Sequence, residues 1–221
     1  MSRDFAVIFD MDGVIVDSNP THRIALKEFC EKHGFPLSES DLRNKVYGRT
    51  NRDWLTNLFN NSITPAEIDK YEEEKEQLFR KLYAPLIHPV KGLIPFLESL
   101  KRNGIVRAIA TSAPRSNVKF TLEKTGTAQF FEVVLDEEDI GKSKPDPEIY
   151  LKTAAAIGFP PQKCIVIEDS LSGVEAARRA GCKVIGITTT HPGNELSETQ
   201  MVIRDFADLE ISDLERLAAR K

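Results

Sequence analysis

Five short runs rich in valine and isoleucine, interrupted once by a very long gap, constrain this chain more than any other feature. They are Phe5–Phe9, Ile105–Ala110, Glu132–Leu135, Cys164–Ile167 and Lys183–Ile187. Each is nearly continuous in apolar character, as a strand buried on both faces of a parallel sheet must be. Helical patterns lie between them. Leu93–Lys101 repeats apolar residues at helical spacing. Asp146-Pro147-Glu148 reads as an N-cap, a proline at the first helical position and an acid in the first turn. Ser172–Ala180 stops at Gly181. Strand alternating with helix predicts a doubly wound, Rossmann-like α/β sheet.

The gap covers residues 11–104, 94 in all. A crossover needs a dozen or so residues beyond its helix, and structureless loops of that length are rare. Its pattern is helical: Pro20–His33, Ser38–Val46, Arg52–Phe59, and a last segment opened by Thr64-Pro65-Ala66-Glu67 and reaching about Leu82. This predicts a helical cap subdomain over 18–88, inserted into an α/β core made of 1–17 and 89–221. The charge run at 71–76 is expected to be a solvated helix face.

Composition narrows the classes. Lys and Arg total 30 against 34 Asp and Glu, a net charge of −4. That balance predicts neither a nucleic-acid nor a membrane-surface partner. The longest stretch free of charged residues is 11, against about 20 for a spanning helix. No secretory signal is read at the acidic N-terminus. Cys30, Cys164 and Cys182 are too few and too scattered for a disulfide framework or a metal knuckle. A cytoplasmic protein with reduced thiols is expected, and a monomer.

Chemistry concentrates at predicted strand ends. The first strand runs into Asp10-Met11-Asp12-Gly13. Alone, this is as consistent with an acidic turn as with a site. Residues two apart on an extended segment point the same way, so both carboxylates can face the cleft beyond the carboxyl ends of the strands, where open α/β sheets bind ligands. The second strand runs into Thr111-Ser112, and the fourth into Glu168-Asp169-Ser170. Two unit charges 4 Å apart repel by about 4 kcal/mol at an effective dielectric near 20. Four carboxylates in one cleft therefore require a cation, and oxygen-only ligands select a hard ion such as Mg²⁺. Asp10 is then a candidate nucleophile, and Asp12 a candidate general acid, then base. Thr111 and Ser112 precede a helix near Arg115–Lys124 whose N-terminal amides suit a phosphate. Lys144 is a candidate to bridge Asp10 and that phosphate, with Lys142 as its competitor.

These residues, Phe9-Asp10-Met11-Asp12-Gly13-Val14, Ala110-Thr111-Ser112, Ser143-Lys144-Pro145-Asp146-Pro147 and Ile167-Glu168-Asp169-Ser170, resemble the four ordered motifs of the haloacid dehalogenase superfamily. The likeness is closest to its β-phosphoglucomutase-like phosphatase branch and covers nearly the whole chain. It implies Asp10 as nucleophile, Asp12 as acid/base, Thr111 and Ser112 as phosphate ligands, and Lys144 as the neutralising charge. It implies Mg²⁺ held by Asp10, the Asp12 carbonyl and Asp169, with Glu168 a ligand directly or through a neighbour. Dehalogenases, phosphonate hydrolases and ion-pumping ATPases of this superfamily lack the second aspartate, so by this resemblance Asp12 points to phosphate-ester chemistry. In this branch the cap reads the leaving group: His22 stands where the mutase carries a histidine that assists Asp12, and Arg49 of Gly48-Arg49-Thr50 resembles the substrate-specificity loop, while Arg115, following the second motif, is a further candidate substrate contact.

The expected activity is thus a Mg²⁺-dependent phosphatase for a small phosphorylated metabolite, such as a sugar phosphate, working through an aspartyl-phosphate. Two rivals remain: a hexose-phosphate mutase with the same phosphoenzyme, and a non-catalytic binding module that keeps the fold. Lys75 is near the place where the mutase would need a cap lysine.

Overall fold

A computed structural model describes residues 4–35, 38, 41, 51–59 and 62–219. The chain divides into two compact units, residues 18–86 and the remainder.

In the larger unit, six strands form one sheet: β1 Ala6–Phe9, β2 Val106–Ala110, β3 Val133–Leu135, β4 Cys164–Glu168, β5 Lys183–Ile187 and β6 Met201–Ile203. Every pairing is parallel, in the order β3-β2-β1-β4-β5-β6. The chain runs outward one way from β1 through β2 and β3, then the other way through β4, β5 and β6. The reversal lies between β1 and β4, the switch point at which such sheets open a cleft. All four residues of β1 are fully buried. One sheet face packs Ala6, Ile8, Val166, Ile149 and Tyr150 together. Phe9 meets Phe131 at 5.7 Å and Phe206 at 6.1 Å between ring centroids. Each such side chain contributes roughly 1.5–3 kcal/mol by leaving water.

The helices of this unit are Leu93–Arg102, Arg115–Thr125, Glu148–Ala156, Leu171–Arg179 and Ile211–Ala219. The smaller unit holds Asn19–Lys32, Asn51–Leu58 and Pro65–Tyr83. In chain order these eight are α1 (Asn19–Lys32) to α8 (Ile211–Ala219), the helices among the described residues. The cap unit has its own core of Leu26, Phe29, Cys30, Trp54, Leu55 and Ile68. Its helix α3, Pro65–Tyr83, begins with a full capping box. The Glu67 amide donates to Thr64 Oγ1, and the Thr64 amide to Glu67 Oε2 at 2.9 Å.

The structure differs from the sequence reading in three respects. Helix α6, Glu148–Ala156, starts one residue after Pro147, yet Asp146 still caps it by accepting from the Glu148 amide at 3.1 Å. Strand β6 was not anticipated, because three residues carry no periodicity, and helix α8, nine residues long, was not anticipated either. The charge run is not all solvated: Lys75 and Glu76 are buried on α3 and pair at 2.6 Å. Ser38 and Asp41 do make a reciprocal pair, with Ser38 Oγ donating to Asp41 at 2.5 Å. The remainder of the helix expected over Ser38–Val46, and Arg49, lie outside the described residues. No described helix is long and apolar enough to cross a membrane.

Candidate active site

The register brings the carboxyl ends of β1, β2 and β4 level. Phe9 lies opposite both Ile109 and Ile167. The ladder continues one residue further, with the Asp10 amide donating to Ile167 O at 3.0 Å and the Thr111 amide to Leu135 O at 3.1 Å. Asp10, Thr111, Glu168 and Asp169 therefore emerge side by side, all buried. One oxygen each of Asp10, Glu168 and Asp169 lie within 4.8 Å of one another.

Lys144 reaches this cluster from the loop before α6. Its Nζ donates to Asp10 Oδ1 at 2.6 Å, to Glu168 Oε1 at 2.6 Å and to Ala110 O at 3.3 Å. Its side chain is only 7% exposed, whereas that of Lys142 is 74% exposed and faces Asp146. Of the two lysines, Lys144 is the one that touches Asp10.

Glu168 accepts on both oxygens. Oε1 takes Lys144 and the Tyr150 hydroxyl at 2.8 Å; Oε2 takes the amides of Asp169 and Ser170, both at 2.9 Å, and Ser170 Oγ at 3.0 Å. Gly173, on the first turn of α7 (Leu171–Arg179), is what makes room: a Cβ there would fall 1.7 Å from Glu168 Oε1. Across the cleft the turn after β1 folds tightly, with the Ile15 amide donating to Met11 O at 2.8 Å. Gly13 in that turn has φ +81°, and a Cβ on it would lie 1.9 Å from Asp169 Oδ2. Asp12 is half-buried in the same turn.

The electrostatics are unbalanced. Three buried carboxylates face one buried ammonium, leaving two negative charges if all ionise. Burial, helped by the Glu168 and Asp169 charges, pushes Asp10 well up despite Lys144. Burial and the Glu168 charge push Asp169 up to about 8. Burial acts on Glu168 too, but Lys144 and its other donors outweigh it and hold it low. Burial opposes the Lys144 charge, and Asp10 and Glu168 overcome it. An all-oxygen donor set short of two positive charges fits one hard divalent cation. Of the three carboxylates, Asp10 and Asp169 are better suited to ligate it, since Glu168 already accepts five hydrogen bonds.

Thr111 Oγ1 accepts from the Ala113 amide at 3.1 Å, and Ser112 is exposed. Pro114, just before α5 (Arg115–Thr125), has no side chain able to cap that helix. Arg115 is engaged elsewhere: its guanidinium forks onto Asp136 at 2.8 and 3.1 Å and also pairs with Glu138 and Asp139. In the cap unit, His22 stacks on Phe79 at 3.6 Å, and Lys75 Nζ lies 3.3 Å from His22 Nδ1.

Three residues at the site were not anticipated. Tyr150 resembles any aromatic on a buried helix face. Thr189 and Thr190 follow β5 and would have been found by the rule that singled out Thr111 and Glu168, polar residues at a strand's carboxyl end. Thr190 Oγ1 donates to Asp169 Oδ2, and Thr189 Oγ1 donates to Gly13 O at 2.6 Å.

A buried acid cluster and lysine at the switch point of this sheet place the chain in a known class. It belongs to the haloacid dehalogenase-like hydrolases, whose family model matches residues 7–187. A phosphorylated carbohydrates phosphatase from Thermotoga maritima is 33% identical over 81% of this chain and 83% of its own length. The chain matches a chloroplastic 5-amino-6-(5-phospho-D-ribitylamino)uracil phosphatase from Arabidopsis thaliana at 27% identity over 96% of its length, and spans 57% of that protein. A β-phosphoglucomutase from Bacillus subtilis is 28% identical over 92% and 91% of the two chains. The crystal structure of a HAD hydrolase, family IA, variant 3, from Entamoeba histolytica superposes with a TM-score of 0.89 at 32% identity over 100% of both chains.

Proposed function

We propose that this hydrolase is a Mg²⁺-dependent phosphatase of small phosphorylated metabolites, with sugar phosphates the foremost class. The observation that carries the reading is Asp10 Oδ1 held 2.6 Å from Lys144 Nζ inside a buried acid cluster. Asp10 attacks phosphorus, and the bond from phosphorus to the leaving oxygen breaks as Asp12 gives that oxygen its proton. Asp12 then takes a proton from water, which attacks the aspartyl-phosphate. The bond from phosphorus to the Asp10 oxygen breaks, releasing phosphate and the carboxylate. Thr111, Ser112 and the amides opening α5 hold the phosphoryl oxygens, while Lys144 offsets the charge growing on them. Asp10, the Asp12 carbonyl and Asp169 would hold Mg²⁺, which when bound supplies positive charge beside the phosphoryl group. Glu168 acts through Lys144 and the Asp169 loop.

His22 is proposed to assist Asp12, and Arg49 to contact the leaving group. Arg115 is a weaker candidate, because Asp136 already occupies its fork. The carbohydrate class is supported by the Thermotoga relative, and three buried free thiols suit a reducing cytoplasm. The chain is proposed to act as a monomer.

The test is Asp10→Asn, scored by phosphate release from a panel of phosphorylated metabolites with Mg²⁺. Loss of a covalent nucleophile should cut turnover by at least about 10³-fold with folding intact. Activity within about tenfold of the parent ends the assignment. Glucose 1-phosphate with a trace of the bisphosphate separates the mutase rival, which would yield glucose 6-phosphate rather than free phosphate.

A further inference from the structure

We infer that Thr189 and Thr190 are positioning residues for the divalent cation, setting both sides of its cradle from the end of β5. The inference rests on the reading that Asp10, the Asp12 carbonyl and Asp169 hold Mg²⁺.

The contacts form a closed chain. Thr190 Oγ1 donates to Asp169 Oδ2. Gly13 presses on that same oxygen so closely that no side chain fits between them. Thr189 Oγ1 donates to the Gly13 carbonyl at 2.6 Å, one peptide along from the Asp12 carbonyl. Two adjacent hydroxyls on one strand end therefore fix a side-chain ligand and the turn that carries a backbone ligand. β5 is bonded directly to β4, with Glu168 opposite Gly186, so the turn that carries the two threonines begins beside the loop that carries Asp169. Neighbours that orient ligands typically change metal affinity by about 10–100-fold when removed. A threonine hydroxyl suits this task because it donates one hydrogen bond without adding charge to a cluster that already carries too much of one sign.

The two contacts also differ in kind. Thr190→Val removes a donor to a carboxylate oxygen. Thr189→Val frees the turn while leaving Asp169 untouched. If the pair served only to close the loop, both variants would melt earlier but bind Mg²⁺ normally once folded.

The experiment titrates Mg²⁺ into the full chain by calorimetry, with substrate absent, and follows folding by circular dichroism. Thr190→Val is expected to weaken Mg²⁺ binding about 10–100-fold, Thr189→Val by a lesser factor, and Thr190→Ser to restore affinity to within about twofold. Should Thr190→Val not fold, Thr189→Val and Thr190→Ser carry the test. A parent that binds Mg²⁺ with folded valine variants that match it overturns this inference and leaves the phosphatase reading standing. A parent that binds no Mg²⁺ overturns both.

Discussion

In the core unit, Asp10, Glu168 and Asp169 are buried against the single ammonium of Lys144, whereas in the cap unit Lys75 is buried against Glu76 at 2.6 Å. Asn51 Nδ2 donates to Glu76 at 2.9 Å and to Glu72 at 3.0 Å, and Lys75 also meets His22. The cap pairs these two charges one to one. If its three carboxylates all ionise, the core carries an excess of two negative charges, concentrated where β1 and β4 end. A pair can be purely structural, and removing one partner of such a pair costs roughly 3–5 kcal/mol wherever it sits. Such a cluster is relieved by retained protons, as the raised Asp10 and Asp169 indicate, or by a cation that displaces them. Buried charge is common to both units; what separates them is the number of carboxylates set against each ammonium.

The largest expected effect tests how rigid each unit is around its charges. Glycine to alanine in a helix interior normally adds up to about 1 kcal/mol of stability. Gly173→Ala should do the reverse, because the new Cβ would sit 1.7 Å from Oε1 of a Glu168 carboxylate that five donors, two of them on that oxygen, hold in place. The loss should be about 3 kcal/mol or more, with phosphate release falling as Lys144 loses its second carboxylate. Gly34 in the cap, at φ +78° with nothing near its would-be Cβ, sets the scale: Gly34→Ala should cost only about 1–2 kcal/mol of backbone strain. Chemical denaturation of both variants measures the difference. Equal losses would mean that the core cluster yields as easily as an open turn.

A second effect follows from the charge excess. In metal-free protein Asp169 is pushed up to about 8 by burial and by Glu168, while in the unfolded chain it titrates near 3.9, its ordinary value of about 4. Between those limits the folded chain keeps a proton that the unfolded chain gives up, so this group's contribution to stability falls as pH rises through that window. Asp10 shifts in the same direction. A divalent cation competes with those protons, so the melting-temperature gain on adding Mg²⁺ should grow between about pH 5 and pH 8. Scanning calorimetry with Mg²⁺ and with EDTA reads it directly. A gain that stays flat across the range would remove the contrast with the neutral pair in the cap.

The two units were also unequally legible in the sequence. Buried parallel strands betray themselves as unbroken apolar runs, so β1, β2, β4 and β5 stand within a residue of their expected bounds, and the polar residues that end them mark the site. A three-residue edge strand such as β6 has no period to detect. Helix bounds in the cap followed from caps and prolines, but the burial of Lys75 and Glu76 did not. Charge on a helix predicts a solvated face unless a partner is supplied by the same or another helix, and nothing local announces Asn51 or His22. Thr190 shows a different limit. Its place at the end of a strand was visible, but its bond to Asp169 depends on β5 lying beside β4, which is a property of the sheet order. Tyr150 reaches Glu168 for the same reason.

The smallest effect probes the cap alone. Thr64 caps α3 through a reciprocal pair with Glu67, at an exposed corner remote in sequence from every core motif. Thr64→Ala leaves the Glu67 amide without its side-chain acceptor, and loss of such a cap costs about 1 kcal/mol. Because α3 (Pro65–Tyr83) carries both Lys75 and Phe79, hydrogen exchange should quicken along its first turns before its last. If stability in the cap is local, phosphate release at saturating substrate should stay within about twofold of the parent, since a shift below 0.5 kcal/mol changes a rate by little more than that. A larger fall in turnover would show that the first turn of this helix is felt at the chemistry, and the cap would then have to be counted as part of the reaction centre.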